Sequence, residues 1–112
     1  MTKIGEGKNS LPEPTLATYR ADLELSSSKF LTALDQYQMS KNPKEQEHLR
    51  TMMDQQMGLI QAALSELKAK GFHKEGSIVA KDYIDYKDEE TSDNFMCLRN
   101  DLETLREHNK SR

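Results

Sequence analysis

The chain has 112 residues, 35% of them hydrophobic and 31% charged, with a net charge of −3. That length suits one domain with a narrow core, and the missing basic stripe argues against nucleic-acid binding, which draws most of its affinity from phosphate neutralisation. The single cysteine, Cys97, excludes a disulfide framework within the chain, and no apolar run approaches the roughly 18 residues of a membrane span.

The chain opens with MTKIGEGKNSLPEP, which has no apolar signal core, so cytoplasmic residence is the expectation. Residues 1–14 read as a flexible tail ahead of a single helical domain over 15–112. Within the tail, Gly5, Gly7 and Lys8 have the flavour of a phosphate loop. The details fail: Thr2 stands where the first P-loop glycine belongs, Asn9 where Ser or Thr should follow the lysine, and Ser10 where a dinucleotide fingerprint needs its third glycine. No nucleotide or other cofactor is expected.

From Thr15 to Lys41 the apolar positions are Leu16, Tyr19, Leu23, Phe30, Leu34 and Tyr37. Steps of three, four and seven are helical and close to a heptad seam. Ser26, Ser27 and Ser28 interrupt the stripe and predict a narrow waist where another helix comes close. A helix over about 15–41 follows. Next comes Asn42-Pro43-Lys44-Glu45, the sharpest local signal in the chain. Asparagine is a good N-cap, proline fits the first helical position, and Glu45 at N3 completes a capping box. So short a break predicts an antiparallel hairpin.

The second helix, about 43–70, carries a stripe of Leu49, Met53 or Met52, Gln56 or Met57, Ile60, Ala63 or Leu64, and Leu67, and Gly71 stands where a C-terminal glycine belongs. Gly58 in its interior predicts a close helix crossing. Met52, Met53 and Met57 cluster there, and methionine suits both ragged core edges and adaptable binding surfaces. Two adjacent methionines cannot share one narrow core, so these three are candidate partner-binding residues.

Residues 77–87 are ambiguous. Ile78, Val79 and Tyr83 suit a strand, but alternation is poor, while Val79, Tyr83 and Tyr86 keep helical spacing and Ser77 offers a cap. A short helix is expected. Tyr83 and Tyr86 lie in an acidic segment, Asp82 to Asp93, and tyrosine is enriched at binding hot spots, which makes both further candidates. The last stripe, Phe95, Leu98, Leu102 and Leu105, predicts a helix over about 93–109 capped by Ser92 or Asp93. A single long helix over 77–108 is the alternative. Cys97 is expected to be a small buried hydrophobe, with a surface thiol that crosslinks two chains as the alternative.

Chemistry is sparse. Glu45 and His48 have the Glu-x-x-His spacing of carboxylate-bridged metal bundles, but Leu105 occupies the matching position before His108, so no metal site is expected. No catalytic residue is nominated. The expected fold is all-α: a hairpin of two long helices with a shorter third helix along part of it. A short third helix leaves some of the stripe open, and the chain reads as a non-enzymatic interaction module, an adaptor, chaperone or assembly subunit. Its partner would be another protein laying an amphipathic helix in the groove, or a second copy in a coiled-coil-like oligomer.

Overall fold

The computed structural model describes residues 15–71 and 76–110. The glycine-containing stretch from Gly5 to Ser10, the tail and His73 lie outside these. The described chain is all-α, with four helices: α1 (Leu16–Met39), α2 (Pro43–Ala69), α3 (Gly76–Asp88) and α4 (Ser92–Lys110). The ambiguous stretch is therefore a helix. It is separate from the last one, because residues 89–91 break the path.

Local chemistry sets the boundaries. Thr15 caps α1 by accepting the Thr18 amide. Asn42 caps α2 as expected, its Oδ1 accepting the amides of Lys44 at 2.9 Å and Glu45 at 3.4 Å. The capping box is only half made. The Asn42 amide donates to Ser40 Oγ, and Ser40 Oγ in turn donates to the Glu45 carboxylate. Serine thus stands between the two members of the box. Helix α4 is capped by Thr91, one residue before the expected Ser92, with the Asn94 amide 3.2 Å from Thr91 Oγ1. Asn94 also sends its Nδ2 back to the carbonyls of Asp85 and Glu89, tying the start of α4 to the end of α3. Ser77, the expected cap, falls inside the assigned span of α3. Gly71 has φ 89°, the left-handed conformation that a helix-terminating glycine supplies without a Cβ clash.

Three residues join α1 to α2, and three join α3 to α4. Such links reach about 10 Å, too little to return to the start of a long helix, so both pairs are antiparallel. Cross-links fix how the two hairpins meet. Arg20 faces Asn109, Glu24 faces Arg106 and Asp35 faces Arg99, so α4 runs antiparallel to α1. Asp54 faces Tyr83 and Arg50 faces Glu90, so α3 runs antiparallel to α2. The result is an up-down-up-down arrangement of four helices, in which the short helix expected over 77–87 is a full member of the bundle beside the hairpin and the last helix.

The core contains the predicted stripes. Leu23, Phe30, Leu34 and Tyr37 of α1 meet Leu49, Met53, Met57, Ile60, Leu64 and Leu67 of α2, with Val79, Tyr83 and Tyr86 from α3 and Leu98, Leu102 and Leu105 from α4. Leu23, Leu34 and Ile60 are 0% exposed and Met53 2%. The open stripe expected of a three-helix chain is therefore closed by α3 and α4. Ser26 and Ser27 are buried, which fits the predicted waist; Ser27 Oγ is enclosed without a hydrogen-bond partner among the described residues.

Gly58 does not mark a crossing. It is exposed, and a Cβ built there meets nothing within 4 Å. The two helix glycines therefore act in opposite directions. Gly58→Ala should raise unfolding stability by about 1 kcal/mol, through helix propensity alone. Gly71→Ala should lower it by about 1 kcal/mol, because alanine resists positive φ. Urea titration of both variants checks this; a destabilised Gly58→Ala would show that the site is crowded after all.

Candidate interaction surface

Tyr83 and Tyr86 are 3% and 2% exposed. Tyr83 stands edge-on to Phe30 with ring centroids 5.1 Å apart, and Tyr86 meets Tyr37 at 6.4 Å and Phe95 at 6.3 Å. Each hydroxyl then needs a partner at the rim of the core. Tyr83 donates to the Asp54 carboxylate, Tyr37 donates to Glu90 Oε2 at 2.7 Å, and Tyr86 Oη accepts from Gln38 Nε2 at 2.6 Å. Burial, with the neighbouring carboxylates second, pushes the Tyr37 and Tyr83 hydroxyls above their usual range; burial and the charge of Glu90 do the same for Tyr86. Cations close the arrangement from outside. The Arg50 guanidinium lies 5.2 Å from the Tyr37 ring centre and Lys87 Nζ 4.7 Å from that of Tyr83.

The partner-binding candidates are corrected accordingly. Met53, Met57, Tyr83 and Tyr86 are all buried, and Met52 is partly buried against the same core. These five side chains serve the chain's own packing. The acidic segment is not a bare connector either: Glu90 holds Tyr37 and Arg50, and Asp85 pairs with Lys81. Cys97 is exposed rather than buried.

The charged residues between helices form paired sets. Arg99 grips Asp35 with two bonds of 3.1 and 3.0 Å, and Arg106 holds Glu24 in the same forked way at 3.2 and 2.6 Å. The Arg106 hydrogen bond holds the Glu24 carboxyl below its usual range. These pairs lie at the edge of the α1–α4 seam and fix its register more than they add stability.

One carboxylate is different. Burial pushes Asp82 up to about 6, with Asp101 of α4 and Asp85 of α3 adding in the same direction and Lys81 opposing. Its Oδ2 is shut from water, and the group it faces among the described residues is the Asp101 carboxyl, which can bond to it only through a shared proton. Beside it, Ile78, Asp101, Thr104, Leu105 and His108 line a hollow of about 210 Å³. A raised carboxyl next to a second carboxyl is a pattern that acid–base sites use, and sequence reading missed it because Asp82 and Asp101 are 19 residues apart on different helices. The hollow is smaller than ordinary ligand pockets, and Ile78 and Leu105 make much of its wall. Among the described residues, no group of three or more His, Cys, Asp or Glu could hold a metal ion.

The surface that remains lies on the far side of the α1–α2 hairpin. Tyr19, Leu25 and Ser26 of α1 and Leu59, Ala62 and Ala63 of α2 line a groove of about 350 Å³. Leu25 and Leu59 are each 55% exposed. Two large apolar side chains from different helices thus flank a floor of small residues. The other exposed large hydrophobics, Met39, Ile78, Ile84 and Met96, do not line this groove. Leu25 and Leu59 fall outside both core stripes, which is why pattern reading passed over them. None of the described helices is long and apolar enough to cross a membrane. No protein-family model matches the chain, and neither a curated protein nor a solved structure does.

The Asp82 carboxyl makes stability depend on pH in a defined direction. Its pKa is raised on folding, so the native state holds this proton more tightly than the unfolded chain does. The benefit is full below about pH 4 and is lost as pH rises through about 6. Stability should therefore increase from pH 7 to pH 5, by on the order of 1–2 kcal/mol after allowance for solvent screening. Further into acid, Glu24 takes up its proton and loses its pairing with Arg106. Denaturant midpoints measured across this range in wild type and Asp82→Asn check it; a slope that persists in the asparagine variant would assign the effect elsewhere.

Proposed function

We propose that this chain is a non-enzymatic protein-interaction module, a small cytoplasmic adaptor, chaperone or assembly subunit that binds through the outer groove of its α1–α2 hairpin. The observation that carries the reading is the convergence of Leu25 and Leu59, both half exposed, over Ser26, Ala62 and Ala63. Apolar side chains that flank a small-residue floor suit an inserted helix face or loop. The groove differs from the binding face that the sequence suggests, since the methionine stripe is spent on the core.

A second support is what the reactive side chains already do. The tyrosines, the arginines of α4 and most carboxylates that face another helix hold the helices together. A rigid, cross-pinned bundle is a good platform for a preformed surface, because little order has to be gained on binding.

A photo-crosslinking amino acid placed at Leu25 or at Leu59 tests this. Both positions should yield protein adducts in cells. Met96, equally exposed on α4, should yield few. Equal labelling from all three positions would show that the groove is ordinary surface.

A further inference from the structure

We infer that the occupant of the α1–α2 groove is a second copy of this chain, bound about a two-fold axis that passes between Leu25 and Ser26. The inference rests on the interaction reading and names its partner.

The argument begins with charge. At the seams between helices, the charged side chains are largely paired: Glu24 with Arg106, Asp35 with Arg99, Glu90 with Arg50 and Asp54 with Lys87. On the groove, Glu66 of α2 is exposed without an ion pair among the described residues, and so are Asp22 and Lys29 of α1. They are seven residues apart on α1, two helical turns, so they share one face. Leu25 and Ser26 lie midway between them.

A two-fold axis at that midpoint crosses α1 antiparallel over its own copy. It sets Asp22 opposite Lys29 of the second copy, and Lys29 opposite Asp22 of the second copy. Opposite charges placed equally about a centre are what an isologous interface requires, since every contact occurs twice. A partner of different sequence requires no such balance.

The apolar part fits the same operation. Leu25 comes to rest on Ser26 of the second copy, a large side chain against a small one. The α2 residues follow, because α2 is antiparallel to α1. Leu59 lies near the axis and meets the same region of its copy, while Glu66 comes toward the end of the groove that Gln56 occupies. Each Leu is thereby removed from water, and the ionic pairs lie about one helical turn to either side of the axis, where they fix the register of the two copies.

Charge exchange tests the pairing directly. Dissociation constants come from sedimentation equilibrium of the full chain under reducing conditions, up to roughly millimolar concentration. Wild type should be a dimer that loosens with salt. Asp22→Lys and Lys29→Asp should each weaken it by about tenfold or more, and the double exchange Asp22→Lys/Lys29→Asp should recover most of the loss. Both positions are exposed, so melting curves of the monomers should be unchanged. A wild type that stays monomeric throughout overturns the inference, and so does a dimer indifferent to the exchanges, which would be using another face. The crosslinker at Leu25 separates this failure from that of the underlying reading. Adducts to a different protein by a monomeric chain leave the groove as a binding site and exclude the second copy. No adduct at all removes both.

Discussion

Closure of the long hairpin by the short one is the constraint on which everything else depends. Helices α1 and α2 measure about 36 and 40 Å at 1.5 Å per residue, and their facing stripes alone leave an apolar trough. Val79, Tyr83 and Tyr86 from α3, with Leu98, Leu102 and Leu105 from α4, fill it. Burial of each large side chain contributes roughly 1.5–3 kcal/mol toward holding the short hairpin against the long one. Leu23, Leu34, Met53 and Ile60 are therefore core residues of a single chain.

The rim of that core carries the polar work. Three tyrosine rings enter it, and their hydroxyls stop at Asp54, Glu90 and Gln38. Arginines then lock α4 against α1 at Asp35 and Glu24. Together these pairings choose one alignment of the two hairpins, where hydrophobic burial by itself tolerates sliding. Asp82 is the exception, a carboxyl pressed toward the Asp101 carboxyl. Its charged form opposes the α3–α4 contact and its protonated form favours it.

Much of the fold is legible in the sequence. The stripes of α1, α2 and α4 lie at helical spacing, and Asn42-Pro43 and Gly71 mark ends that the chain uses. Val79, Tyr83 and Tyr86 show their period too, although β-branched neighbours blur it. What cannot be read is the partner of each stripe. The methionines and tyrosines present the same pattern whether they meet another protein or another helix of the same chain, because periodicity reports a buried face and not what buries it. Leu25 and Leu59 have the converse problem: a lone leucine off the stripe carries no signal until the antiparallel packing brings two together. Asp82 and Asp101 likewise become neighbours only through the fold. Thr91 displaced Ser92 as the cap because its side chain reaches the Asn94 amide.

The most direct test of the account is native-state hydrogen exchange on the full-length chain, read at the amides of Leu23, Leu34, Ile60, Tyr83 and Leu102 under mild denaturant. If α3 and α4 close the core, these amides share one large opening free energy and merge into a single global unfolding. If the amides of α3 and α4 exchange through a low-energy opening while α1 and α2 stay protected, the short hairpin is a loose cover. The trough between the long helices would then be an accessible surface, and the closed bundle described here would be wrong.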